Sequence, residues 1–215
     1  MGRARQRDQY VAADATAGLP PRLSRLPRAF YSRPTLVVAP HLLGCYLVHQ
    51  RGRERVVGRI VEVEAYRGPR DPASHAFRRT ARSEVMWGLP GTAYVYLSHG
   101  LHACMNIVTE PAGCAGAVLL RALEPIEGIA LMRRRRGVTG FHQLASGPGR
   151  LTQAMGITLA QNRADLVTGC LYVARGDRPR GTTTLATPRI GISVATERRW
   201  RFVLRGSAFL SRPVR

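Results

Sequence analysis

Lysine is absent from the 215 residues, so all 33 basic side chains are arginines. A skewed base composition is enough to cause that, but the chemical consequence stands: no side-chain amine exists to form a Schiff base. Acids are also scarce, 13 against those 33 arginines, which leaves a formal net charge of +20. No C-x-x-C pair occurs. Cys45, Cys104, Cys114 and Cys170 have mostly apolar or small neighbours, which predicts buried, reduced thiols. The six histidines are scattered as well, so neither a metal set nor a cofactor is expected. No run approaches 18 apolar residues, and Gly2-Arg3-Ala4-Arg5-Gln6-Arg7 carries no apolar signal region. The chain reads as soluble and cytoplasmic, nucleoid-associated if bacterial, with no membrane partner.

What is present fits one sizeable core, with 45% of residues hydrophobic. Residues 1–28 hold six arginines against two aspartates without sustained periodicity, and read as a flexible basic arm. The rest of the excess positive charge belongs to the body, residues 29–215, expected to be a monomeric single domain. Such a field suits a polyanion. Nucleic acid is the usual one, with ribosomal assembly or an acidic membrane face as alternatives.

The pattern predicts a helix over Pro34–Leu43, strands over Cys45–Gln50 and Val56–Tyr66, and a loop over Gly68–Arg82. Thr92–Leu97 and Leu101–Val108 form a hairpin around Ser98-His99-Gly100, with Gly100 free to take a positive φ. Ala117–Leu123 is a strand, after which Glu124-Pro125 is expected to open a helix running into Arg133–Arg136. A short helix should end at Gly156, and residues 170–174 and 189–206 read as strands. The irregular order of strands and helices favours α+β, one compact domain with a mostly antiparallel, curved sheet and peripheral helices.

Against so much positive charge, two acids on one strand stand out. Alternation puts Ile60, Glu62, Glu64 and Tyr66 on one face, the carboxylates about 7 Å apart, and Val61, Val63 and Ala65 on a core face. A carboxylate held near positive charge stays ionised and can act as a base toward water. The commoner fate of one glutamate is a salt bridge to one of the arginines. On the hairpin, Tyr94, Tyr96 and Ser98 share a face, with His99 at the tip. Aromatic strands are usually core. Flat phenols beside a carboxylate in a basic protein nevertheless suggest a pocket in which a base stacks, and a planar tip suggests a wedge between base steps.

Six segments carry a resemblance. They are Arg59-Ile-Val-Glu-Val-Glu-Ala-Tyr66, Pro90-Gly-Thr-Ala-Tyr-Val-Tyr96, Gly100-Leu-His-Ala-Cys-Met-Asn106, Val118-Leu-Leu-Arg-Ala-Leu-Glu-Pro125, Ser146-Gly-Pro148 and Arg205-Gly-Ser207. In this order, from about Phe30 to Ser211, the chain resembles the alkyladenine (3-methyladenine) DNA glycosylases of vertebrates and many bacteria. The resemblance implies a monofunctional enzyme that flips a damaged purine out of double-stranded DNA and hydrolyses its N-glycosidic bond. In that mapping Glu64 is the general base and Arg121 helps to hold the water. Tyr66, His75 and Tyr96 surround the flipped base, Asn106 crowds the amino group of ordinary guanine, and the tip of a protruding hairpin enters the DNA. An alkylated purine already carries positive charge and leaves without much acid assistance, so Glu62 is read as a structural ion-pair residue.

Outside the resemblance, His75 would pass for a solvated loop histidine and Arg121 for a generic phosphate or salt-bridge arginine. Family members often have Tyr at the hairpin tip. Here it is His99, which covers less area and could gain charge beside phosphate. The loop around residues 136–144 looks shorter than in vertebrate relatives, so its DNA contacts do not carry over. The rival readings are a non-catalytic nucleic-acid binder and a formyltransferase-like C-terminal domain of similar fold; fold alone does not assign chemistry.

Overall fold

The computed structural model describes Leu19, residues 23–179 and residues 181–214. Most of the expected basic arm lies outside these residues. Its last part belongs to the body: Leu26 is buried, its N–H donates to Val173 O at 2.9 Å, and Arg28 begins a short helix, α1 (Arg28–Tyr31).

Among the described residues the strands are β1 (Tyr46–Arg51), β2 (Glu54–Tyr66), β3 (Ala93–Ser98), β4 (His102–Val108), β5 (Ala117–Glu127), β6 (Leu171–Ala174), β7 (Thr184–Thr187) and β8 (Arg201–Leu204). They form one antiparallel sheet in the order β3-β4-β5-β2-β1-β6, with β8 on β2 and β7 on β8. Helix α2 (Thr35–Leu42) lays Val38, Ala39 and Leu42 on the sheet. Helices α3 (Ile129–Arg136) and α4 (Pro148–Met155) pack on each other, and α4 also packs on β4 and β5. The domain is α+β, as the element order predicts. Fully buried Ile60, Leu120, Leu123 and Met132 lie in its main core, and each contributes roughly 1.5–3 kcal/mol by leaving water.

Strand β2 is the spine of the sheet, and it changes neighbours midway. One edge pairs with β1 up to Arg59 and with β8 from Glu62 to Glu64, while the other edge follows β5 from Val57 to Tyr66. Two register shifts mark the change. Ile60 faces Leu123 and Glu62 faces Ala122, which leaves Val61 over; Glu62 faces Ala122 and Val63 faces Leu120, which leaves Arg121 over. Such bulges bend a strand and re-aim its side chains. Strict alternation from Ile60 to Tyr66 is therefore not kept: Ile60 and Val61 both join the core, and Glu62 and Glu64 are fully buried.

Three further expectations are corrected. Glu124-Pro125 does not open a helix; β5 continues to Glu127, because Pro125 sits at another register shift opposite Gly58, where a missing ladder bond is tolerated. The helix begins only after Gly128, whose φ of 75° makes the turn while Arg55 O approaches too closely for a Cβ. Residues 189–206 are not one strand, since the chain leaves β7 at Thr187 and crosses irregularly before β8, with positive φ at Gly191 and Ala195. Of the cysteines, Cys45 and Cys104 are buried but Cys114 and Cys170 are exposed, because both lie in turns next to strands.

Candidate active site

The bulged stretch of β2 and β5 carries a buried set of charges. Glu62 Oε1 accepts from Arg121 Nε at 3.0 Å and Arg201 Nε at 2.8 Å, and the Ser211 backbone N–H and hydroxyl each donate to this carboxylate at 2.6 Å. Burial alone would raise the Glu62 pKa, but the Arg201 and Ser211 hydrogen bonds and the Arg121 charge outweigh it and hold the carboxyl below its ordinary range. Glu62 is a structural ion-pair residue, saturated by its partners.

Glu64, one pleat further on, has different company. Its Oε1 accepts from the Ile190 N–H at 2.8 Å, and its Oε2 accepts from Tyr66 Oη at 2.8 Å and Arg121 Nη1 at 3.2 Å. Arg121 thus bridges the two glutamates from its bulge. Burial pushes the Tyr66 phenol well above its usual value and the Glu64 charge pushes it further, so Tyr66 stays a neutral donor.

In front of this set lies a cavity of about 470 Å³ lined by Tyr66, His75, Tyr96, Asn106 and His99, all five of the pocket and hairpin residues singled out from sequence, together with Arg82, Met86 and Tyr94. The rings are ordered against one another. His75 Nδ1 bonds Tyr94 Oη at 2.9 Å, and its ring meets Tyr96 edge-on at 4.5 Å. Partial burial lowers the His75 pKa and the Arg82 charge lowers it further, so at neutral pH the imidazole is uncharged. Asn106 is buried on β4 opposite Tyr94, and its Nδ2 donates to Tyr94 O at 3.2 Å. Glu64 and Arg121 stand behind Tyr66 rather than on the cavity wall.

The hairpin tip is tighter than sequence suggests. His99 as well as Gly100 has a positive φ, 50° and 70°, and the Leu101 N–H closes the turn on Ser98 O at 3.1 Å. For a histidine this conformation costs on the order of 1 kcal/mol. His99 is exposed, and Leu101, 76% exposed, stands beside it.

Sequence reading missed the segment that closes the site from the far side. Arg189 and Asp71 are both buried and share two hydrogen bonds of 2.5 and 2.8 Å; Arg189 also donates to Ala65 O at 3.0 Å. Its guanidinium lies 4.7 Å from the Tyr66 ring centroid and 5.1 Å from that of Trp200. This clamp ties the Asp71–His75 loop to Ile190, Gly191 and Ile192, the last two on the cavity wall. The scarcity of acids that singles out Glu62 and Glu64 also applies to Asp71 and was the available signal. Among the described residues, no three His, Cys, Asp or Glu side chains gather as a metal site, and no helix is long and apolar enough to cross a membrane.

Residues 29–208 match the family model described as Methylpurine-DNA glycosylase (MPG). Three similar proteins carry the name "Putative 3-methyladenine DNA glycosylase". That of Prosthecochloris aestuarii is 47% identical over 88% of this chain and 92% of its own length. That of Carboxydothermus hydrogenoformans is 45% identical over 87% and 98%, and that of Methanoculleus marisnigri 50% identical over 87% and 98%.

Proposed function

Since the chain belongs to the methylpurine-DNA glycosylase family, hydrolases of N-glycosyl bonds in DNA repair, we propose that it flips a damaged purine nucleotide from duplex DNA into the Tyr66–His75–Tyr96 cavity and hydrolyses its glycosidic bond. The observation that carries this reading is the Glu64 carboxylate, held by Ile190, Tyr66 and Arg121 directly behind an aromatic cavity.

Breaking the bond between the sugar C1′ and purine N9 sends the electron pair to the base and builds oxocarbenium character on the sugar, which a nearby anion stabilises. Water adds to C1′ and its proton passes to Glu64, while Arg121 holds both that carboxylate and the water. The released base and an abasic site are the products. Without lysine, the strand is not cut through a lysine Schiff base. Tyr66, His75 and Tyr96 stack around the flipped base, Asn106 narrows the space beside it, and His99 fills the gap in the duplex. The protein works as a monomer on its DNA.

The reading is tested with duplexes containing hypoxanthine or a methylated purine, treated with hot alkali after incubation. The wild type should create alkali-labile sites. Glu64→Gln should keep lesion binding and lose release by about 10²–10⁴-fold, the contribution of a positioned base. A bare nucleic-acid binder would yield no labile sites with either protein.

A further inference from the structure

Arg82 has no part in the mechanism above, yet it is the one side chain of fixed charge on the cavity wall, and no Asp or Glu lines that wall among the described residues. Its guanidinium carbon sits 4.8 Å from the Tyr96 ring centroid, and Nη2 donates to Leu97 O at 3.4 Å. The backbone behind it is fixed. Ser83, fully buried, bonds Thr80 Oγ1 at 3.0 Å and donates to Arg78 O at 3.1 Å. The glutamates do not offset this charge locally, because Glu62 and Glu64 are matched by Arg121 and Arg201.

Resting on the glycosylase reading, we propose that Arg82 is a specificity-determining residue that favours neutral purine lesions over purines carrying a fixed positive charge. The preference follows from the charge on the departing base. When a neutral purine leaves, the electron pair of the C1′–N9 bond makes it partly negative in the transition state, and a guanidinium facing the cavity stabilises that charge. A ring-methylated purine starts positive and leaves neutral, so Arg82 repels it on arrival and gives its departure no anion to stabilise. Arg82 also holds its guanidinium 4.8 Å from the Tyr96 ring centroid, so a cationic base stacked on that ring would share its cation–π attraction with a second cation, a penalty that a neutral base escapes. Hypoxanthine adds a chemical match. Its O6 and N7 are paired acceptors of the kind a guanidinium reads in two bonds, whereas methylation at N7 removes one of them.

The experiment is single-turnover release from duplexes containing hypoxanthine and, separately, 7-methylguanine, by wild type, Arg82→Gln and Arg82→Lys. In Arg82→Gln the hypoxanthine rate should fall about tenfold relative to the 7-methylguanine rate, the size of one unit-charge interaction at a part-exposed site. Arg82→Lys, which keeps the charge, should hold the ratio within about threefold of wild type. An equal fall on both lesions assigns Arg82 to phosphate anchoring or folding and overturns the proposal, as does an unchanged ratio. A wild type that releases neither base sinks the glycosylase reading itself, a result distinct from either.

Discussion

The Tyr66 hydroxyl donates to Glu64 Oε2 at 2.8 Å from two residues along the same strand. A pocket wall is therefore also the group that orients the carboxylate behind it. With its phenol pushed up by burial and by the Glu64 charge, Tyr66 cannot become the acceptor in this bond.

Tyr66→Phe should keep the ring that closes the cavity and remove one of the three donors to Glu64. Single-turnover release should drop about tenfold, in line with losing one charge-assisted hydrogen bond of roughly 1.5–3 kcal/mol, while lesion binding changes little. A rate equal to wild type would mean that Arg121 and Ile190 suffice.

Much of this site was legible in the sequence, for a physical reason. Glu64, Tyr66, Tyr96 and His99 lie on β2, on β3 or at the turn after it, where alternation and turn chemistry fix direction locally, whereas His75, Asn106 and Arg121 were singled out only through the family resemblance. What stayed hidden depends on long-range pairing. The aim of Arg121 comes from a bulge set by the register of β5 on β2, and no local pattern specifies that register. Ile190 reaches Glu64 because Arg189 meets Asp71, 118 residues earlier in the chain. Residues 189–206 look like a strand only if such a cross-chain anchor is ignored. Pro125 misled in the same way: a helix opener by propensity, it is tolerated in β5 because of the irregular pairing with Gly58.

The Asp71–Arg189 pair predicts a non-additive effect. Both side chains are fully buried, so Arg189→Met leaves the Asp71 carboxylate with only the partly exposed Arg198, 3.7 Å away, as a charged partner and should cost about 3 kcal/mol. For a domain of this size that lowers Tm by roughly 10 °C. Asp71→Asn with Arg189→Met should cost clearly less than the two single changes added together. Thermal denaturation of the three variants measures this, and simple additivity would show that the residues do not act as a pair.

Glu62 sets an acid limit. Its folded pKa lies below the ordinary 4.5, so its ion pairs contribute fully above about pH 4.5, and the contribution is lost as pH falls through the folded value. Compared with Glu62→Gln, the wild type should be more stable at pH 6, with the difference shrinking below about pH 4.5. Denaturant unfolding of both proteins between pH 3 and 7 reads the difference directly. A gap independent of pH would place the stabilisation in packing instead.

Some arginines of the body are used by the fold, and others are left at its surface. Arg28, Arg55, Arg59, Arg121, Arg189 and Arg201 are engaged in ion pairs within the body. Arg78, Arg133, Arg134 and Arg150 remain exposed, the first in the loop that carries His75 toward β3. If Arg78 and a few of its neighbours touch backbone phosphates, each contact releases counterions and adds about −0.9 to the slope of log affinity against log salt. Four contacts would give a slope of about −3.6. Arg78→Gln should then flatten the slope by about one while weakening damaged and undamaged duplexes alike, because a phosphate contact carries no information about the base. Fluorescence anisotropy across salt concentrations provides both numbers. A slope near zero would detach the net positive charge from DNA binding altogether.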